Sequence, residues 1–169
     1  QAIRGKYLEA RSQSNPVGGL DLFEFNGNVI AGNLLSDTYD FNLLATACYE
    51  YKTKAGPSVC IDPNPYQTDI EKACSVGSIS LDSQGAPIAV TIVEEEVLSE
   101  EIQFKITIKN VGGGQAVKLG ADRFEECNPF ASRIDVRQSV DYIYVDGSIR
   151  IGSTNLVCRP VDSDSSIRL

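Results

Sequence analysis

The stretch from Glu101 to Leu119, EIQFKITIKNVGGGQAVKL, decides the fold. Its first half alternates apolar and polar residues, which is the period of a strand with one buried face and one solvated face. The apolar positions are predicted to point into a core and are Ile102, Phe104, Ile106 and Ile108. The polar positions are predicted to face water and are Gln103, Lys105, Thr107 and Lys109.

A second strand is predicted before this one, and a break is predicted after it. The apolar-rich segment Pro87–Val97 precedes it, and we predict that the two segments pair as antiparallel strands through Leu98-Ser99-Glu100. The triplet Gly112, Gly113 and Gly114 offers no side chain to pack and cannot continue a strand well. We predict a bulged crossing there, at which the backbone of this or another chain approaches closely, before a strand resumes at Gln115–Leu119.

Further strands are predicted along the whole chain, because short apolar runs recur every 8 to 15 residues with turn residues between them. Asn26-Gly27 and Asp146-Gly147 are two-residue hairpin turns. Ser132-Arg133-Ile134-Asp135 has capping-box form and predicts a short helix near Arg133–Ser139. The remaining predicted strands are Leu20–Phe25, Asn28–Ala31, Phe41–Lys54, Ser58–Ile61, a short strand before Gln84-Gly85, TNLVC (154–158) and a strand start at Ser166–Leu169.

This pattern predicts an all-β fold, an antiparallel immunoglobulin-like β-sandwich with one short helix. We expect residues 1–19 to form an N-terminal arm, because Asn15-Pro16 and Gly18-Gly19 interrupt the chain before the first strand. Residues 20–169 then form the sandwich domain, with a sub-boundary near residue 75. The arm residues expected to take part in assembly are Gln1, Ala2, Ile3, Tyr7 and Leu8.

Composition excludes several functions. The chain has 169 residues, a net charge of -8 and no histidine. The acidic balance argues against nucleic acid as a partner, and the lack of His removes the usual general base and the commonest metal ligand. No apolar run is long enough to span a membrane as a helix. Because the chain begins at Gln1, we expect a processed chain or a fragment whose membrane anchor is missing or removed.

The five cysteines have no CxxC spacing, which leaves disulfides or buried thiols as alternatives. Cys60 and Cys74 flank one loop and could close it. Cys127 and Cys158 could bridge the ends of the helix–hairpin region, which would leave Cys48 as an unpaired thiol.

Acidic and aromatic clusters are the remaining candidate sites. The acidic cluster Glu94–Glu96 with Glu100 and Glu101 lies at a predicted hairpin tip, where we expect solvated side chains rather than a catalytic pair. We expect no cofactor, although calcium stays open at this tip, at Asp62, Asn64 and Asp69, or at Asp162 and Asp164. Two same-face tyrosine pairs either pack on the sheet or form a ligand platform. They are Tyr49 with Tyr51, and Tyr142 with Tyr144.

The stretches CIDPNPYQTDIEKAC, SQGAPIAVT, IQFKITIKNVGGGQ and the terminal SSIRL together resemble a family of archaeal surface proteins of unassigned role from small-genome lineages. The resemblance covers about residues 45–169. It implies an exported, extracytoplasmic β-sandwich behind an N-terminal membrane segment, and it favours the pairings Cys60–Cys74 and Cys127–Cys158. It brings no catalytic residues.

These observations predict a protein that is not an enzyme. We expect a structural subunit of an extracellular, pilus-like filament or adhesive assembly, which polymerises head to tail when the arm of one subunit adds a strand to the next. The alternative is a monomeric cell-surface module that binds a protein or glycan ligand.

Overall fold

The computed structural model describes residues 7–12, 14–28, 38–40, 42–98, 101–118, 127, 140–145, 149–159 and 165–169. The chain divides into two compact units, Gln1–Ala45 and Thr46–Leu169, and each is described by itself. All the described strands lie in the second unit. The predicted boundary after residue 19 stays a prediction.

The largest sheet has three antiparallel strands in the order β1-β2-β3. They are β1 (Ser78–Ser80), β2 (Ile88–Val97) and β3 (Ile102–Asn110). The predicted long hairpin is therefore confirmed, with Val93 paired with Ile106 near its middle. Ala89 and Val93 are buried, so the small core of this unit centres on β2.

The other strands form two small antiparallel pairs. β4 (Tyr142–Tyr144) pairs with β7 (Ser166–Arg168), and β5 (Arg150–Ile151) pairs with β6 (Thr154–Asn155). The described part of the chain is thus all-β and antiparallel, and no helix occurs in it. The predicted helix at Arg133–Ser139 lies outside the described residues.

The prediction of a hairpin around Asp146-Gly147 is wrong in its pairing, since β4 bonds to the C-terminal strand instead of to β5. Asp146 and Gly147 themselves lie outside the described residues. A tight turn comes later, at Gly152-Ser153 between β5 and β6. Gly152 has a φ of 57°, and a glycine at the first central position of a two-residue hairpin readily takes a positive φ.

The two strands predicted near the end of the chain and after the glycines differ in outcome. The predicted strand at Ser166–Leu169 is confirmed as β7. The described part of Gln115–Leu119 contributes only a bridge from Val117 to Val140.

Three predicted strands are not observed. Residues 20–25, 42–54 and 58–61 have no strand assignment, and residue 41 lies outside the described part. The fourth predicted strand, Asn28–Ala31, lies outside the described residues except for Asn28. The apolar side chains of residues 20–25 are not buried, and Leu20 and Leu22 are 86% and 81% exposed. Alternation alone therefore did not produce a strand where burial was missing.

Candidate functional site

Side chains close the side of β2 that faces away from β3. The Gln84 amide accepts a hydrogen bond from the Val90 N–H at 3.0 Å and donates one to the Val90 carbonyl at 3.0 Å, as a paired strand residue would. The Thr53 hydroxyl donates to the Ile88 carbonyl at 2.6 Å. β1 and the Leu81 N–H, which donates to the Thr91 carbonyl, cover the next part of the strand. This side of β2 is therefore capped within the chain, by β1 and by the side chains of Gln84 and Thr53.

The hydrogen bonds between Gln84 and Val90 show which main-chain groups of β3 point away from β2. Because both polar groups of Val90 bond to Gln84, the pair of Val90 with Ile108 is not hydrogen-bonded. Opposite residues of an antiparallel ladder alternate between bonded and non-bonded pairs. The N–H and C=O groups that point away from β2 consequently belong to Ile102, Phe104, Ile106 and Ile108.

The outer edge of β3 is open within the described part of the chain. No described strand pairs with it, so among the described residues β3 is an edge strand of nine residues. Long unprotected edges can template the addition of another strand. The candidate functional site is this edge, with its four outward pairs of main-chain donors and acceptors.

The apolar face of the hairpin also contains an acidic residue, Glu95. Glu95 lies opposite Phe104, on the same face as Val93 and Val97. Both carboxylate oxygens of Glu95 are buried, and neither has a hydrogen-bond partner among the described residues. A buried carboxylate without a partner is costly. The prediction of a fully solvated acidic tip is therefore wrong at Glu95.

The rest of the acidic tip behaves as expected for a surface. Glu96 is exposed, and the Glu94 carboxylate lies 3.6 Å from the Lys105 ammonium, with both side chains open to solvent. An ion pair of this kind contributes little to stability, about 0–1 kcal/mol. Glu100 lies outside the described residues.

The glycine triplet makes one close approach, and it does so within the chain. A Cβ atom on Gly112 would lie 2.8 Å from the Pro87 Cβ. The Val111 and Gly112 N–H groups both donate to the Pro87 carbonyl, which ties the end of β3 to the start of β2. A Cβ atom on Gly113 or Gly114 would have no described atom within 4 Å, so the close approach of another chain to these two glycines stays a prediction.

The N-terminal arm folds back on itself over residues 9–19. The Gly19 N–H donates to the Glu9 carbonyl at 2.8 Å, and the Asn15 side chain bonds both to Glu9 and to the Gly18 N–H. The predicted assembly residues precede this loop. Tyr7 and Leu8 are exposed, Tyr7 to 92%, whereas Gln1, Ala2 and Ile3 lie outside the described residues.

The Cys60–Cys74 disulfide is present, with a Cα–Cα distance of 5.8 Å, as predicted. Inside its loop the Lys72 ammonium pairs with the Asp62 carboxylate and donates to the Asn64 carbonyl at 2.9 Å. The hydrogen bond from Lys72 holds the pKa of Asp62 below its ordinary value. Asp62 is thus committed to an ion pair.

Metal binding gains no support from the acidic residues. Among the described residues, no group of three or more His, Cys, Asp or Glu side chains could hold a metal ion. The calcium candidates Asp162 and Asp164 lie outside those residues.

The predicted Cys127–Cys158 bridge is not formed. Cys48, Cys127 and Cys158 are not disulfide-bonded. The Cys158 Sγ faces the Leu156 carbonyl at 4.0 Å, two residues away, and the Cys127 main chain lies against Cys48. A bridge needs sulfurs about 2.05 Å apart, and the structure does not join these two cysteines.

The tyrosine pairs differ in their surroundings. Tyr49 and Tyr51 make an edge-to-face contact with ring centroids 6.3 Å apart, and they are 65% and 41% exposed. Tyr142 instead lies under two cations, since Lys118 and Arg168 approach its ring at 5.1 and 5.9 Å. The Tyr142 ring is therefore held by contacts within the chain, whereas Tyr49 and Tyr51 stay open as a ligand platform.

A cavity of about 540 Å³ adjoins the hairpin tip. It is lined by residues 63–69 of the disulfide loop and by Val97 and Leu98. Tyr66, one of the lining residues, is 87% exposed.

Comparisons of the chain with protein-family models, with curated proteins and with solved structures found no match. Within the described ranges, no helix has the length and apolar character needed to cross a bilayer.

Proposed function

We propose that the chain is a structural, non-catalytic subunit of an extracellular filament or adhesive assembly, in which subunits join head to tail by β-strand addition. The outer edge of β3, which no described strand covers, carries this proposal. An added strand would bond to the main-chain groups of Ile102, Phe104, Ile106 and Ile108, which gives affinity without any particular side chain. A head-to-tail contact that does not close produces a polymer.

The N-terminal arm of a second copy is the proposed donor. Its apolar residues Tyr7 and Leu8 are exposed, and Ile3 belongs to the same segment. The arm also carries Arg4 and Lys6, whose charge complements the acidic end of the hairpin. A cation from the arm would give the Glu95 carboxylate the partner it lacks among the described residues.

We also propose the finer architecture and the location. An immunoglobulin-like sandwich is consistent with the antiparallel, all-β character of the described part. A structural disulfide is typical of proteins in oxidising compartments, so Cys60–Cys74 supports an extracellular or cell-surface location. The resemblance to exported archaeal surface proteins favours the same location.

A monomeric binding module is the second candidate. It is favoured by the exposed contact pair Tyr49 and Tyr51, since exposed aromatic rings can stack on a ligand. The cavity beside Tyr66 is a second concave feature of the same unit.

Negative-stain electron microscopy with matched variants tests the proposal. The full chain is compared with a variant in which Ile3, Tyr7 and Leu8 are all serine, which preserves the length and charge of the arm. The control replaces Val17, Leu20 and Leu22 by serine, because these are exposed apolar residues outside the first eight positions. We expect fibres from the full chain and the control, and single particles from the arm variant. Single particles in all three samples would reject the filament and favour the monomeric binding module with Tyr49 and Tyr51 as its ligand surface.

A further inference from the structure

Two cysteines that are far apart in sequence lie together in the second unit. The Cys48 Sγ is 3.8 Å from the main-chain oxygen of Cys127, across a separation of 79 residues. Both side chains are partly buried. The Cys158 sulfur instead contacts the carbonyl of Leu156, two residues away. The three thiols are therefore not equivalent in their surroundings.

The position of Cys48 is fixed by its neighbours. The Tyr51 hydroxyl donates to the Gly85 carbonyl at 3.3 Å, and the Thr53 hydroxyl donates to the Ile88 carbonyl. These two contacts hold the segment that follows Cys48 against the beginning of β2. Cys48 therefore approaches Cys127 from a segment that is hydrogen-bonded to the three-stranded sheet.

We infer that Cys48 and Cys127 form the second disulfide of the protein, and that Cys158 is the remaining thiol. A disulfide needs Cβ atoms about 3.5–4.5 Å apart. The Cys48 sulfur already lies beside the Cys127 main chain, and rotation of the two side chains between staggered rotamers, with a small main-chain adjustment, would bring the sulfurs together. The inference is independent of the proposed filament, because it concerns one chain.

The chemistry is a thiol–disulfide exchange with a small-molecule disulfide such as oxidised glutathione. One cysteine thiolate attacks a glutathione sulfur, which forms a mixed disulfide and releases one glutathione thiolate. The second cysteine thiolate then attacks the protein sulfur of the mixed disulfide and releases the other glutathione. The two cysteine protons end on the two released glutathione molecules, and the two protein sulfurs are oxidised as one glutathione disulfide is reduced.

The bridge would close the part of the chain that contains β1, β2 and β3. It would join the segment bonded to the start of β2 with a residue beyond the end of β3. Together with Cys60–Cys74, it would make the second unit a scaffold with two disulfides.

Peptide mapping tests the pairing. The purified full chain is equilibrated with reduced and oxidised glutathione, alkylated and digested without reduction, and its peptides are identified by mass spectrometry. We expect a Cys48–Cys127 linked peptide beside Cys60–Cys74, with Cys158 alkylated. A Cys127–Cys158 or Cys48–Cys158 peptide would overturn the inference, as would alkylation or glutathione capping of both Cys48 and Cys127.

Two serine variants test the pairing from each side. Cys158→Ser should leave the Cys48–Cys127 peptide unchanged, whereas Cys48→Ser should leave Cys127 and Cys158 both alkylated. A circular dichroism spectrum equal to that of the wild type confirms that each variant is folded. Loss of the Cys48–Cys127 peptide from a folded Cys158→Ser sample would overturn the inference.

Discussion

Replacing Gln84 by alanine should destabilise the second unit by opening the capped edge of β2. The variant removes two hydrogen bonds to Val90, each 3.0 Å long. A typical hydrogen bond contributes about 0.5–1.5 kcal/mol net, so the pair contributes about 1–3 kcal/mol. Val90 is half-buried, which limits the access of replacement water to its main chain. We therefore expect a loss of about 2 kcal/mol in the free energy of unfolding.

Urea unfolding followed by circular dichroism measures this loss. For a slope of about 2 kcal/mol per molar urea, the midpoint should fall by about 1 M. Amide hydrogen exchange gives a local readout, because the Val90 N–H loses its acceptor and should exchange faster in the variant.

Gln103→Ala is the matched control. Gln103 is exposed on β3, and substitutions at such positions usually change stability by less than about 0.5 kcal/mol. If the Gln84 and Gln103 variants unfold at the same urea concentration, and the Val90 amide exchanges as in the wild type, the amide of Gln84 does not act as a substitute strand and the reasoning is refuted.

Two further predictions concern the close approach at the end of β3 and the ion pair in the disulfide loop. Gly112→Ala should lower the free energy of unfolding by about 1–3 kcal/mol, because its Cβ would meet Pro87. Gly113→Ala, which meets no described atom, should be neutral or stabilise by about 0.4–1 kcal/mol. The urea midpoints of the two variants measure these effects, and equal losses would contradict the close packing at Gly112. The bond from Lys72 lowers the folded pKa of Asp62, so its contribution is complete above the unfolded pKa of about 3.9 and is lost as the pH falls through the lower folded pKa. The stability difference between wild type and Asp62→Asn should therefore shrink as the pH falls from about 6 through the ordinary carboxyl range at about 3.9 and below it, and a constant difference would exclude this role.

The main hairpin could be predicted from sequence because its pattern and its burial agree. Nine residues of period two face a partner strand that is itself rich in β-branched residues, so local preference and packing favour the same register. The segment 20–25 has similar apolar residues but no buried face, and its prediction as a strand was wrong. The hairpin predicted at Asp146-Gly147 was wrong because β4 pairs with the C-terminal β7 and not with the strand that follows this turn.

The capping of β2 could not have been found from the sequence. Gln84 looks like an ordinary turn residue before Gly85, and its target Val90 is six residues further on. The same holds for Glu95, because it stands within the acidic run Glu94–Glu96 beside a predicted hairpin tip, and nothing in that run indicates that its carboxylate is buried. The contact between Cys48 and Cys127 depends on the tertiary path of the chain, which cysteine spacing does not encode.

The central claim is that the outer edge of β3 is open in the subunit and takes a strand from another copy. Residue-resolved amide hydrogen exchange, on dilute chain and on assembled material, tests it most directly. In the dilute chain we predict slow exchange at Lys105 and Thr107, whose N–H groups face β2, and fast exchange at Phe104 and Ile106, whose N–H groups face outward. On assembly, Phe104 and Ile106 should become protected. Protection of all four amides in the dilute chain, or fast exchange at Phe104 and Ile106 in the assembled material, would contradict the claim.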